Sequence, residues 1–102
     1  MKDSNVTTGP DTIVSVIIPT FNRVMFIGET LDSVVPQLRA CDEIIVIDDG
    51  STDGTSSLIR SGKWPVHYIR QENAGKSAAV EKGIAEAKGG LIWIVDDDDI
   101  MA

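Results

Sequence analysis

Cysteine is nearly absent from this 102-residue chain, with Cys41 as its single example. A lone thiol has no internal partner, so a disulfide-stapled fold is excluded and a reducing compartment is favoured. Histidine is equally scarce. His67 is the only one, and it falls inside a strand-like stretch, where it reads as a packed side chain. No apolar run approaches the roughly 18 residues of a membrane span. Gly 9 and Pro 4 show no fixed period, which excludes a collagen-like chain. Basic residues are outnumbered, with Lys+Arg 9 against Asp+Glu 16, for a net charge of −7. That balance argues against a nucleic-acid backbone as the main partner. Residues 1–12 are polar, aperiodic and without the apolar stretch of a secretory signal, and are expected to form a flexible arm.

What remains is ordinary globular composition, 42% hydrophobic and 25% charged, about one small domain. The charge is uneven. Asp96, Asp97, Asp98 and Asp99 supply four of the seven excess negatives, three residues from Ala102. The block is either a solvated acidic tail or part of a site.

The hydrophobic pattern predicts β-α-β-α-β-α-β. Val14 to Ile18 is a β-branched apolar run, ended by Pro19. Apolar residues from Met25 to Val35 recur at helical spacing, and Pro36 stops that helix. Ile44 to Ile47 is a second buried strand. A turn follows, with N-cap candidates in Ser51 to Asp53, and a short helix through Leu58 and Ile59. Val66 to Ile69 alternates more and suits an edge. Lys76 to Lys88 is helical. Leu91 to Val95 reads as a central strand. Strands alternating with helices imply a mainly parallel sheet covered by helices on both faces, a three-layer α/β fold. Ligands of such sheets bind outside the carboxyl ends of the strands. Thr20 to Arg23, Asp48-Asp49 and Asp96 to Asp99 should therefore meet on one rim. Trp93 reads as core and Trp64 as a loop anchor. Phe21 either stacks on a base or closes the core.

Each constellation has a plain alternative. Asp48-Asp49-Gly50-Ser51 makes a good turn and helix cap, yet a turn needs only one such residue and adjacent carboxylates usually have a partner. Asp49-x-Ser51-x-Asp53-Gly54 starts like a calcium loop, but the twelfth position is Arg60 and not Glu, so it is rejected. Gly75-Lys76-Ser77 ends like a phosphate loop, but the required earlier glycine is Arg70. Asp96 to Asp99 directly follows a strand. Carboxylates crowded there call for a cation, and oxygen ligands select Mg²⁺ or Mn²⁺.

Taken together, four segments resemble the family 2 glycosyltransferases of GT-A fold, whose nucleotide-binding half is Rossmann-like. They are Val14 to Arg23, Glu43 to Thr55, Asn73 to Ala79 and Val95 to Asp99. The resemblance covers residues 14–102 in order and spacing. It implies that Pro19, Thr20 and Phe21 wall a nucleotide pocket. Asp49 would accept a hydrogen bond from the nucleobase, commonly uracil. Asp96 would face the ribose or donor sugar, and Asp98 would hold Mn²⁺ or Mg²⁺ on the diphosphate. Asn22, Asp48, Asn73, Lys76 and Asp97 complete the donor-binding candidates. The implied activity is inverting transfer from a nucleotide-diphospho-sugar, commonly a UDP-sugar, to a carbohydrate or lipid-linked acceptor hydroxyl. That transfer needs a carboxylate base.

In this family the base and the acceptor-binding half follow the D-x-D segment. The 102 residues are therefore expected to be a truncated domain, residues 13–102, that binds donor without turnover. The resemblance places the protein in the cytoplasm, or at the cytoplasmic face of a membrane with which the full-length protein associates. Val80 and Glu81 depart from the family, where an Arg-Asn or x-Asn pair is frequent, and a possible diphosphate contact is lost with the arginine. Two other classes compete. A receiver-type signalling domain also sets acidic residues at strand ends, but it needs an acidic pair after the first strand, where Pro19-Thr20 stands. A nucleotide-binding module without turnover differs only in completeness.

Overall fold

The computed structural model describes residues 12–97. Most of the expected N-terminal arm, and Asp98 and Asp99 at the other end, lie outside the described residues. Four strands form one sheet: β1 (Val14–Thr20), β2 (Glu43–Asp48), β3 (His67–Arg70) and β4 (Leu91–Ile94). Their order is β3-β2-β1-β4, and every pair is parallel. This is the 3-2-1-4 arrangement of dinucleotide-type doubly wound sheets, not the 2-1-3-4-5 order of receiver-type domains. Helices α1 (Ile27–Val34), α2 (Thr55–Ile59) and α3 (Lys76–Glu86) connect the strands. Among the described residues no helix is long and apolar enough to cross a membrane.

The strand period of two sorts the core into two layers. Val16, Ile18, Ile44 and Val46 point to one face, against Ile27, Leu31 and Val34 of α1, Ile59 of α2, and Trp64. Ile17, Ile45 and Ile47 point to the other, against Ala79 of α3. Helices thus cover both faces, as the alternation of elements predicts. α3 lies so close that a Cβ at Gly83 would collide with Cγ2 of Ile17. Trp64 is buried and donates its ring N–H to Asp32 at 2.9 Å, the anchoring role read from the sequence.

Three expectations need correction. Pro19 does not end β1, which runs on through Thr20 with Pro19 opposite Ile47. The β1 carbonyls of Ile13 and Ile17 accept from Leu91 and Val95 on the β4 side. Pro19 shares their parity, so its missing N–H faces the place where β4 has already ended and costs no bond to β2. Leu91 to Val95 is not a central strand here. Among the described strands β4 pairs with β1 alone, and Leu91 and Ile94 are 43% and 46% exposed. An apolar run reports which strands tolerate burial, not which neighbours they receive. His67 is exposed on β3 rather than packed. That strand is an edge, as its alternation suggested.

Candidate functional site

The strand order reverses direction between β1 and β4, and a crevice forms there beyond the carboxyl ends of the strands. A cleft of about 350 Å³ occupies this position. Pro19 and Thr20 at the end of β1, followed by Phe21 and Arg23, form one wall. Asp49 lies beyond β2, Asp96 and Asp97 lie beyond β4, and Lys76 and Ala79 of α3 close the other side.

Asp49 is 5% exposed, and its carboxylate is heavily hydrogen-bonded. Oδ1 accepts from Gln71 Nε2 at 2.9 Å and from the Ala74 N–H at 2.8 Å. Oδ2 accepts from the Gly75 N–H at 2.9 Å and from Asn73 Nδ2 at 3.3 Å. Burial pushes this carboxyl up, but the bonds from Gln71, Ala74 and Gly75 outweigh it and hold it below its ordinary value. The arrangement requires Gly75 at φ +100° and ψ 161°, a conformation open essentially to glycine. Asp49 therefore bends the 71–75 loop toward the cleft and presents the start of α3 to it.

Asp48 plays a different part. It is fully buried, accepting from the Tyr68 hydroxyl at 2.6 Å and the Ser51 N–H at 2.8 Å, with Arg70 Nη1 at 3.4 Å. Asn22 adopts a left-handed φ of 53°. Its side chain accepts from the Thr52 N–H at 2.7 Å, and its own N–H donates to Ser51 Oγ at 2.8 Å, locking the β1–α1 loop to the β2–α2 loop.

The acidic end of β4 meets the rest of the rim through Asp97. Thr20 Oγ1 donates to its Oδ2 at 3.0 Å, and Thr30 Oγ1 donates to its backbone carbonyl at 2.8 Å. Arg23 Nε stands 3.7 Å from the same Oδ2. Asp96 pairs with Lys76 at the start of α3. Two carboxylates from one loop thus face two cations from different elements. Among the described residues no three His, Cys, Asp or Glu side chains gather as a metal-binding group. The donor chemistry of Asp96 and Asp97 nevertheless fits Mg²⁺ or Mn²⁺, which need only one or two carboxylates alongside phosphate oxygens.

Of the sequence-derived candidates, Pro19, Thr20, Phe21, Asp49, Lys76, Asp96 and Asp97 line the cleft. Asn22, Asp48 and Asn73 do not; their side chains brace the loops behind it. Asp98 lies outside the described residues. Arg23, placed on the rim by its position, and Ala79 were not among the donor-binding candidates. For Arg23 a signal existed, a basic residue in a rim loop of an acidic chain. For Ala79 none did, since a small residue at a helix position reads as core.

The fold and the crevice define a doubly wound α/β domain with a cleft at its topological switch point, where such sheets take ligands. Comparison with known proteins makes the family explicit. The Glycosyl transferase family 2 model matches residues 15–102, and the chain belongs to that family. It is 42% identical over 93 residues to an uncharacterized glycosyltransferase of Rickettsia felis, a match spanning 89% of this chain and 15% of that protein. Among solved structures it resembles Staphylococcus aureus TarS in complex with UDP-GlcNAc, with a TM-score of 0.79, 30% identity, and coverage of 86% of this chain and 27% of that one. It also resembles the mannosyltransferase PcManGT from Pyrobaculum calidifontis in complex with GDP-Man and Mn²⁺. There the TM-score is 0.79, the identity 31%, and the coverage 87% of this chain and 28% of that one. The chain thus spans less than a third of each of these relatives.

Proposed function

We propose that this chain is the donor-binding part of an inverting glycosyltransferase. The observation that carries this reading is the cleft at the β1/β4 switch point, where Asp96 and Asp97 meet Arg23 and Lys76. A nucleoside diphosphate suits such a place, with its base against Phe21 and Pro19 and its charged end toward the β4 rim. Phe21 is 44% exposed and has ring surface to offer. Thr20 and Thr30 hold Asp97 in place, and Asp49 holds the 71–75 loop that shapes the opposite wall. UDP-GlcNAc and GDP-Man complexes in similar structures support a nucleotide-sugar donor, and Mn²⁺ in one of them supports a divalent cation.

Asp98, with Asp96 and Asp97 beside it, would hold Mn²⁺ or Mg²⁺. A bound cation there would supply charge neutralisation for the leaving diphosphate. Transfer to a carbohydrate or lipid-linked acceptor belongs to the whole protein, and donor binding is the activity assigned to these 102 residues. Titration calorimetry with UDP and GDP in Mn²⁺, then in EDTA, tests both parts. Binding should weaken in EDTA and in Asp98→Ala. Binding indifferent to both removes the metal from the proposal, and no binding of either nucleotide removes the proposal.

A further inference from the structure

Arg23 has a fixed root and a loosely held head. Its backbone carbonyl accepts from the N–H groups of Phe26 and Ile27, both at 2.9 Å, so the main chain is locked into the start of α1. Its side chain is 47% exposed. Among the described residues the guanidinium makes an ion pair at 3.7 Å, beyond hydrogen-bond reach, and lies over the Phe26 ring at 5.9 Å. The other cation of the cleft, Lys76, sits close against Asp96.

A structural role for the Arg23–Asp97 pair is poorly supported. Asp97 is already positioned by Thr20 Oγ1 and Thr30 Oγ1 without it. An ion pair of this length, beyond hydrogen-bond reach and with a half-exposed arginine, contributes little to folding. What the pair does is keep a five-donor cation at the mouth of an acidic cleft, where three carboxylates, Asp49, Asp96 and Asp97, would otherwise repel an anion. The Phe26 ring narrows the conformations the head explores and lowers the entropy lost when it engages a ligand.

We propose that Arg23 is an exchangeable cation. It is paired with Asp97 in the structure and trades that carboxylate for the diphosphate of the donor, contributing affinity for the phosphates but not for the nucleoside. This inference rests on the donor-binding reading above. Calorimetry on the 102-residue chain with UDP, and NMR titration with uridine, separate the two. Arg23→Ala should weaken UDP about tenfold, the size expected for a charge-assisted hydrogen bond, and leave uridine unchanged. Arg23→Lys should recover part of the loss, since the charge remains and the fork is gone. Thermal melting of both variants should match the parent, because the arginine is half-exposed and Asp97 keeps its bonds from Thr20 and Thr30.

The exchange itself is read by a double-mutant cycle. In an Asp97→Asn background the loss on removing Arg23 should grow, because no carboxylate then competes for the guanidinium. A loss under about twofold, or an equal loss for uridine, overturns the phosphate contact. A loss that shrinks or stays constant in the Asp97→Asn background overturns the exchange. A parent chain that binds neither UDP nor GDP overturns the donor reading and this inference together, whereas UDP binding that ignores Arg23 overturns this inference alone.

Discussion

The Asp49 carboxylate accepts the backbone N–H of Gly75 at 2.9 Å and so joins the end of β2 to the start of α3. Removing it orphans the N–H groups of Ala74 and Gly75 together with the Gln71 side-chain amide, while Asn73 Nδ2 keeps the main-chain carbonyl of residue 49. Asp49→Ala should cost about 2–4 kcal/mol in urea unfolding. Asn should not rescue it, because an amide nitrogen would face one of those N–H groups. Faster hydrogen exchange at Ala74 and Gly75 would locate the loss in this loop. An Asp49→Ala protein as stable as the parent would show that the clamp is dispensable.

Asp48 is buried, and the Tyr68 hydroxyl donates to it at 2.6 Å. Tyr68→Phe leaves that carboxylate short of a donor and should destabilise by about 1–3 kcal/mol. Burial and the bond to Asp48 raise the Tyr68 phenol above its ordinary value of 10.0. The stability linked to its proton is complete below that value and is lost as pH rises through the higher native value. Unfolding curves of the parent should show this alkaline loss, and those of Tyr68→Phe should lack it.

Gly83 is a helix interior position where propensity alone favours alanine by about 1 kcal/mol. The collision of a Cβ with Ile17 opposes it, and overpacking of this kind costs about 1–3 kcal/mol. Gly83→Ala should therefore be net destabilising in urea. A stabilised variant would mean that α3 can shift away from the sheet.

Four carboxyls lie below their ordinary values. Hydrogen bonding from Arg39, with the Val14 N–H, lowers Asp42. Burial raises Glu43 and Asp53, but bonds from Ser15 and Lys88 and from Thr55 and Val24 overcome it. Asp49 follows the same pattern. The stability they contribute is complete above the ordinary values of 3.8 for aspartate and 4.5 for glutamate. It is lost as pH falls through the native ones, because the unfolded chain takes up protons first. Acid titration followed by circular dichroism should show a transition that Asp49→Ala and Glu43→Gln each make shallower.

Much of this fold was legible. The apolar runs of β1 and β2 and the alternation of β3 announced a parallel sheet with β3 at an edge. The polar clusters after β1, β2 and β4 announced the rim. The site was legible as a set of residues but not as a set of roles. Asp48 and Asp49 are neighbours of identical chemistry, yet one lies against Tyr68 behind the sheet edge and the other lines the cleft. Alternation along an extended chain sends them to opposite sides, and nothing in the letters says which side holds the cleft. Asn22 and Asn73 likewise read as ligand contacts and serve as loop braces.

By itself, the sequence determined the element order, the two apolar faces of the sheet and the placement of acidic residues at strand ends, because these follow from local periodicity and turn chemistry. Only the tertiary structure decided that β1 lies between β2 and β4, that β4 exposes Leu91 and Ile94, and that Arg23 stands against Asp97. Those are long-range pairings, chosen by which faces can be buried together, and no local pattern encodes a partner so distant in the chain.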